Sequence, residues 1–188
     1  MLFRSRIPEG SAPDFKNKSW TAAAEVNIPE KSASGVLATI GGRFGGWALW
    51  LDNGKPRFAY ALSNQPAHKF RVASDKALAP GNHVVRVRFN YAGGGIGKGA
   101  TGTLLVDEKE VGQVSIPQTV AARFSLDETF DVGEDTGTPV VEDYAAKMPY
   151  EFTGTLKKLG VVLEPEKLSD EERKKLLEEL AKAVMGNQ

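Results

Sequence analysis

The 188 residues set 24 lysines and arginines against 24 aspartates and glutamates. With no net charge, the overall field steers neither nucleic acid, nor an anionic membrane, nor a polyanionic substrate to the chain, so any charged site must be local. No cysteine is present, which excludes disulfides, thiolate zinc sites and cysteine nucleophiles and leaves the redox compartment undetermined.

The length fits one domain, since all-β sandwiches run to roughly 200 residues as a single unit. The opening stretch Met1 to Pro8 lacks the apolar run of about 7 to 15 residues that a signal peptide needs. Nor does any run approach the ~20 residues of a membrane span. A soluble chain without its own export signal is expected, of unknown compartment.

Strand signals then recur at short spacing: Trp20–Ile28, Val36–Ile40, Trp47–Leu51, Arg57–Leu62, His83–Tyr91, Gly102–Val106, Val111–Ile116 and Phe152–Leu163. In the fifth of these, Val85, Val87, Phe89 and Tyr91 fall on one face and Arg86, Arg88 and Asn90 on the other, the alternation of a sheet with one wet side. Asp52-Asn53-Gly54-Lys55 supplies the two positive-φ positions of a tight type I′ hairpin. Asp107-Glu108-Lys109-Glu110 reads as a second hairpin with less favourable turn residues. Short strands, Gly/Pro punctuation and no intervening helices predict an all-β, antiparallel β-sandwich or jelly roll over residues 1–164.

The end differs. Ser169-Asp170-Glu171-Glu172 is a capping box, and Leu176, Leu177, Leu180, Ala181 and Val184 form one apolar stripe closed by Gly186. An amphipathic C-terminal helix is predicted within residues 165–188, either docked on its own sandwich or pairing with another copy in self-association.

Four stretches are candidates for chemistry. The loop from Gly93 to Gly102 contains a formal GxGxxG, but a strand follows it where a phosphate site needs a helix N-terminus, so it reads as a mobile loop joining two strands. The acidic stretch from Asp127 to Pro139, with Glu142 and Asp143, offers oxygen ligands around glycine bends. Asp127, Asp131, Asp135 and Asp143 are candidate calcium ligands, against the alternative of aspartates that hydrogen-bond turn amides. Calcium is the one cofactor the residues suggest, and none is required. His68 and His83 read as turn or edge histidines. No strand alternates carboxylates as a jelly-roll glycosidase would, and no HxH or HExxH spacing occurs.

The last stretch is Gly41-Gly42-Arg43-Phe44-Gly45-Gly46-Trp47-Ala48-Leu49-Trp50, whose glycines let backbone pack closely around one arginine and several rings. Alternation sets Trp47 and Trp50 on opposite faces. Either one is exposed and can stack on a sugar ring, or both lie in packed layers. The sugar platform in the first case comprises Arg43, Trp47, Trp50 and Tyr60.

The runs GGRFGGWALWLDNGKPRFAY, PGNHVVRVRFNYAGGGIGKGATGTLLVDEKEVG, RFSLDETFDVGEDTGTPVVEDY and FTGTLKKLGVVL, with the entry Pro8 to Pro13 and Asn17-Lys18-Ser19, resemble the accessory C-terminal domain of bacterial arylsulfatases from about Arg4 to Leu163. The resemblance implies a concanavalin-like or laminin-G-like sandwich, a sulfatase catalytic domain as partner, and a periplasmic or secreted location if the chain is excised from such a parent. It does not imply activity. The sulfatase nucleophile motif C/S-x-P-x-R is missing, because Ser11-Ala12-Pro13 is followed by Asp14-Phe15. Three functions stand at this point: a non-catalytic accessory or interaction module, a carbohydrate-binding module with a glycan as partner, and a hydrolase of unrecognised type.

Overall fold

A computed structural model describes residues 6–165, 169–172, 174, 175, 177 and 178. Eleven strands form two antiparallel sheets. The six-stranded sheet runs β1 (Ile7–Pro8), β10 (Thr129–Val132), β3 (Gly35–Gly42), β4 (Gly45–Asp52), β5 (Lys55–Ala61) and β6 (Lys69–Ala73). The five-stranded sheet runs β11 (Thr155–Leu163), β2 (Trp20–Ile28), β7 (Gly81–Tyr91), β8 (Ala100–Val106) and β9 (Lys109–Ile116). The edges β6 and β9 lie side by side and close one flank of the sandwich.

All eight expected strands are present. Three more, β1, β6 and β10, lie outside the predicted spans; β1 and β10 have only two and four residues, whereas Lys69–Ala73 does alternate, with Phe70 and Val72 on one face. Both predicted hairpins form. Asn53 and Gly54 take φ of 49° and 77°, as a type I′ turn requires. Asp107 and Glu108 take φ of 47° and 66° without glycine; the Asp107 carboxylate accepts from Val84 N at 2.8 Å and meets His83 Nδ1 at 2.7 Å, which offsets the backbone strain.

The core follows from the alternation. Trp20, Ala22, Ala24 and Val26 of β2 and Val85, Val87, Phe89 and Tyr91 of β7 face Ile40, Trp47, Leu49, Phe58 and Tyr60 of the opposite sheet. Trp20 stacks on Phe89 and on Trp47 at centroid separations of 4.8 Å, and Phe15 meets both tryptophans edge-on. Such ring pairs add about 0.5–1.5 kcal/mol each beyond the area they bury. Truncating one of these rings to alanine costs about 3–5 kcal/mol.

A second, smaller core lies on the outer face of the six-stranded sheet. Val36, Ala48, Trp50, Ala59 and Ala61 are covered there by Val140, Val141, Tyr144 and Tyr150 of the segment between β10 and β11. Trp47 and Trp50 do point to opposite faces, as their parity dictates, yet both are buried, at 0% and 1% exposure.

The glycine-rich loop after β7 is tied down where mobility was expected. The Tyr91 hydroxyl donates to Gly95 O and accepts from Lys98 N, Gly97 N donates to Asn17 Oδ1 at 2.9 Å, and the Thr119 hydroxyl donates to Lys98 O at 2.8 Å. Residues 170–172, 174, 175, 177 and 178 are helical, and the capping box forms: Ser169 N donates to Glu172 Oε2 at 2.7 Å, while Glu172 N donates to Ser169 Oγ at 3.3 Å. Leu177 is exposed, so that position does not dock on the sandwich. Leu176, Leu180, Ala181, Val184 and the closing Gly186 lie outside the described residues. No helix among the described residues is long and apolar enough to cross a membrane.

With all three tryptophans buried, native fluorescence should resist acrylamide, and the Stern–Volmer constant should rise several-fold on unfolding in guanidinium. Equal quenching of native and unfolded chain would contradict this packing.

Candidate functional site

One rim of the sandwich is formed around the hairpin that joins β3 to β4. Its two-residue turn is Arg43-Phe44, flanked by Gly42 and Gly45. A Cβ on Gly42 would lie 2.5 Å from Thr138 Oγ1, and one on Gly45 would lie 2.9 Å from Phe124 O. The segment between β9 and β11 therefore rests directly on the hairpin: a side chain at Gly45 requires the backbone at Phe124 to move, and one at Gly42 requires the Thr138 side chain to move. The glycines permit close packing against this segment, but Arg43 and Phe44 between them are exposed and not packed around.

Three buried or half-buried groups pin that segment from beneath, and a fourth, Glu128, ties the segment to itself. The Tyr60 hydroxyl accepts from Val120 N at 2.8 Å, and its burial pushes the phenol above its ordinary range. Asn17 Nδ2 donates to Ala121 O at 2.7 Å. Glu9 accepts from Phe124 N and Ser125 N and is held by Lys16 Nζ at 2.7 Å. Glu128 accepts from the amide and hydroxyl of Thr138.

These restraints hold an open groove of about 410 Å³ lined by Phe44, Arg123, Phe124, Ser125, Leu126 and Asp127. Phe44 is 64% exposed and Leu126 79%; every other tryptophan, tyrosine or phenylalanine among the described residues is buried or half-buried. Arg43 and Arg123 are also exposed. Neither guanidinium has a hydrogen-bond or ion-pair partner among the described residues, whereas Arg57, Arg71 and Arg86 are each paired with a carboxylate. An apolar ring beside the Arg123 guanidinium, on a backbone held by these bonds, is a preformed surface for an amphipathic ligand.

Comparison with known proteins addresses the fold. No protein-family model and no curated protein matches the sequence. The carbohydrate-binding module CBM40 of the Ruminococcus gnavus IT-sialidase is similar in structure, with a TM-score of 0.56 and 14% identity over 91% of this chain and 95% of that one. The same module bound to α2,3-sialyllactose gives a TM-score of 0.54 at 14% identity, covering 91% and 95%. Its α2,6-sialyllactose complex gives 0.54 at 13%, covering 92% of each chain.

The chain has the fold of these modules. They are not sulfatase domains, which corrects the arylsulfatase expectation. The blocks that suggested it consist of alternating strands and tight turns, features any sandwich of this kind demands.

The sequence-stretch candidates fare unequally. Of the sugar platform, Arg43 is at the surface, whereas Trp47, Trp50 and Tyr60 are buried and offer no face to a sugar. Strand period tells which face a residue occupies but not what covers that face, and here the segment carrying Tyr144 covers Trp50. Phe44 was visible in the same glycine-rich stretch, because a residue at the tip of a two-residue turn must point to solvent. Arg123 and Leu126 had no local signal; contacts about 80 residues away in sequence set them beside Phe44.

The four aspartates do not converge. Asp127 accepts from the Ser125 hydroxyl, and Asp143 is paired with Arg71 Nε at 2.8 Å. Asp131 accepts from Arg6 N, the Thr129 hydroxyl and the amide and hydroxyl of Thr136. Asp135 accepts from Gly137 N and from the Tyr144 hydroxyl at 2.8 Å. Their lone pairs serve backbone turns, and among the described residues no group of three or more His, Asp or Glu is placed to hold a metal ion.

The histidines sit at turns and edges. His68 ends a 3-10 turn and bonds Ser63, and His83 lies between Asp107 and Ala79 O. The groove around His83 is lined by Glu25, Val26, Asn82, Val84, Asp107 and Lys157, and none of these carries a hydroxyl nucleophile.

Asp135 is buried against Tyr144, with Asp131 and Glu128 nearby, and its carboxyl is raised from 3.8 to about 7, first by desolvation and then by those two charges. A raised folded value means that the folded state holds the proton more tightly than the unfolded chain. The stability this contributes is present below pH ~4 and is lost as pH rises through about 7. For a buried group this amounts to about 4 kcal/mol at most. The unfolding free energy of Asp135→Asn relative to wild type should therefore shift in the variant's favour between pH 4 and 8 in urea titrations. A pH-independent difference would contradict the buried, neutral state.

Proposed function

We propose that this chain is a non-catalytic carbohydrate-binding module whose glycan site is the rim groove of Phe44, Arg123 and Leu126, with the exposed Arg43 next to Phe44 in the turn. The observation that carries the reading is the exposed Phe44 ring, held at a glycine-flanked turn in a groove it shares with Arg123 and preceded in the chain by the exposed Arg43. A sugar ring offers an apolar face that stacks on an aromatic side chain and a hydroxyl edge that needs donors and acceptors. Phe44 and Leu126 supply the apolar part. Arg43, Arg123 and Ser125 supply donors, and Asp127 an acceptor.

Preformed geometry favours binding, because a ligand need not order the loop that receives it. The groove is open and shallow, a shape suited to the end of a glycan and not to an engulfed small molecule. The fold likeness to a module that binds sialyllactose supports the same reading.

Printed glycan arrays probed with the intact chain should show binding. Phe44→Ala should weaken it about tenfold through loss of stacking, and Arg43→Ala with Arg123→Ala should weaken it further. Melting temperatures should stay unchanged, since all three side chains are exposed. Binding that survives Phe44→Ala undiminished, or an array with no signal, would sink the assignment.

A further inference from the structure

The edge strand β11 presents a second surface. It is outermost in the five-stranded sheet and pairs only with β2, so alternate N–H and C=O groups of Thr155–Leu163 point away from the sheet. Such edges are ordinarily blunted by charge, proline or a bulge. The first half of β11 is protected in that way, by Lys157 and a register shift between Leu156 and Lys158. Its second half is not: Val162 is 66% and Leu163 37% exposed.

The register with β2 assigns the faces. Leu159, Val161 and Leu163 oppose Ala24, Ala22 and Trp20 on the core side, while Lys158, Gly160 and Val162 oppose Glu25, Ala23 and Thr21 on the outer side. Glu164 continues the outer row, its backbone N still donating to Ser19 O at 2.9 Å. Lys158 and Glu164 are both exposed, and neither side chain has a hydrogen-bond or ion-pair partner among the described residues.

We propose that a second copy of this chain docks antiparallel along β11, about a two-fold axis through Val161, and extends the two five-stranded sheets into one continuous sheet. An axis at this residue keeps core-side residues opposite core-side residues. Lys158 then opposes the partner subunit's Glu164, Leu159 opposes the partner's Leu163, and Gly160 opposes the partner's Val162, each contact occurring twice by symmetry.

The neighbouring axes fail on charge. Centring on Gly160 sets Lys158 against Val162, and centring on Val162 sets Glu164 against Gly160. Gly160 also has room for the incoming valine, because the nearest atom to a Cβ built on it, Ala23 O, is 4.0 Å away. The occupant is a second copy because the strand is complementary to itself in both charge and apolar pattern.

Sedimentation equilibrium on the full chain tests this. A species of twice the 20.3 kDa chain mass is expected. Lys158→Glu and Glu164→Lys should each raise its dissociation constant about tenfold, because each reversal turns both symmetry-related pairs repulsive. Combining the two reversals should restore the dimer, an outcome that a merely structural role for either side chain would not produce. If either reversal prevents folding by circular dichroism, Val162→Asp at its exposed position serves instead and should also raise the dissociation constant. A monomer at every concentration, a dimer indifferent to these changes, or a double variant that stays dissociated would overturn the proposal.

Discussion

The rim of this sandwich exists because two positions of the β3–β4 hairpin have no side chain. Gly42 and Gly45 let the backbone around Phe124 and Thr138 lie in contact with the hairpin, and that contact sets Arg123 and Leu126 beside Phe44. A Cβ at Gly45 would push the segment outward at Phe124, and one at Gly42 would displace the Thr138 side chain that Glu128 holds. The buried bonds of Tyr60, Asn17 and Glu9 to the same segment would then lose their geometry together. A buried donor or acceptor left without its partner costs about 1–3 kcal/mol, so the segment has little freedom to settle elsewhere. Preorganisation at the rim is thus a consequence of close packing beneath it.

The same segment also covers the outer face of the six-stranded sheet, and there the acidic stretch finds its use. Asp135 holds Tyr144 against Trp50, with centroids 5.3 Å apart, while Asp131 gathers the amide and hydroxyl of Thr136 and the backbone of Arg6. Carboxylates concentrated in this way organise a long irregular connection that has little regular secondary structure of its own. The arrangement buries Trp50 and leaves Phe44, at the turn tip, as the exposed aromatic side chain among the described residues.

Much of this architecture was legible in the sequence because period-two alternation and turn chemistry are local. Val85 to Tyr91 announced its buried face, Asn53-Gly54 its turn, and Ser169 with Glu172 its cap. The opposite facing of Trp47 and Trp50 was also readable. The burial of Trp50 was not, since it depends on Tyr144 and Val140, about 90 residues further along the chain. The site was half legible for the same reason: Arg43 and Phe44 belong to one turn, but Arg123 and Leu126 reach it through long-range packing. The arylsulfatase resemblance failed because it rested on features common to antiparallel sandwiches, and likeness at 14% identity fixes the architecture while the site has to be argued from this chain's own residues.

The claim that recognition occurs at the glycine-locked rim is tested most directly by backbone-amide NMR of the isotopically labelled chain, titrated with the glycan that gives the strongest array signal. The account predicts chemical-shift changes concentrated at residues 42–46 and 121–128. Changes concentrated instead on Arg86, Arg88, Thr103 and Gln113, across the polar outer face of the five-stranded sheet, would contradict it.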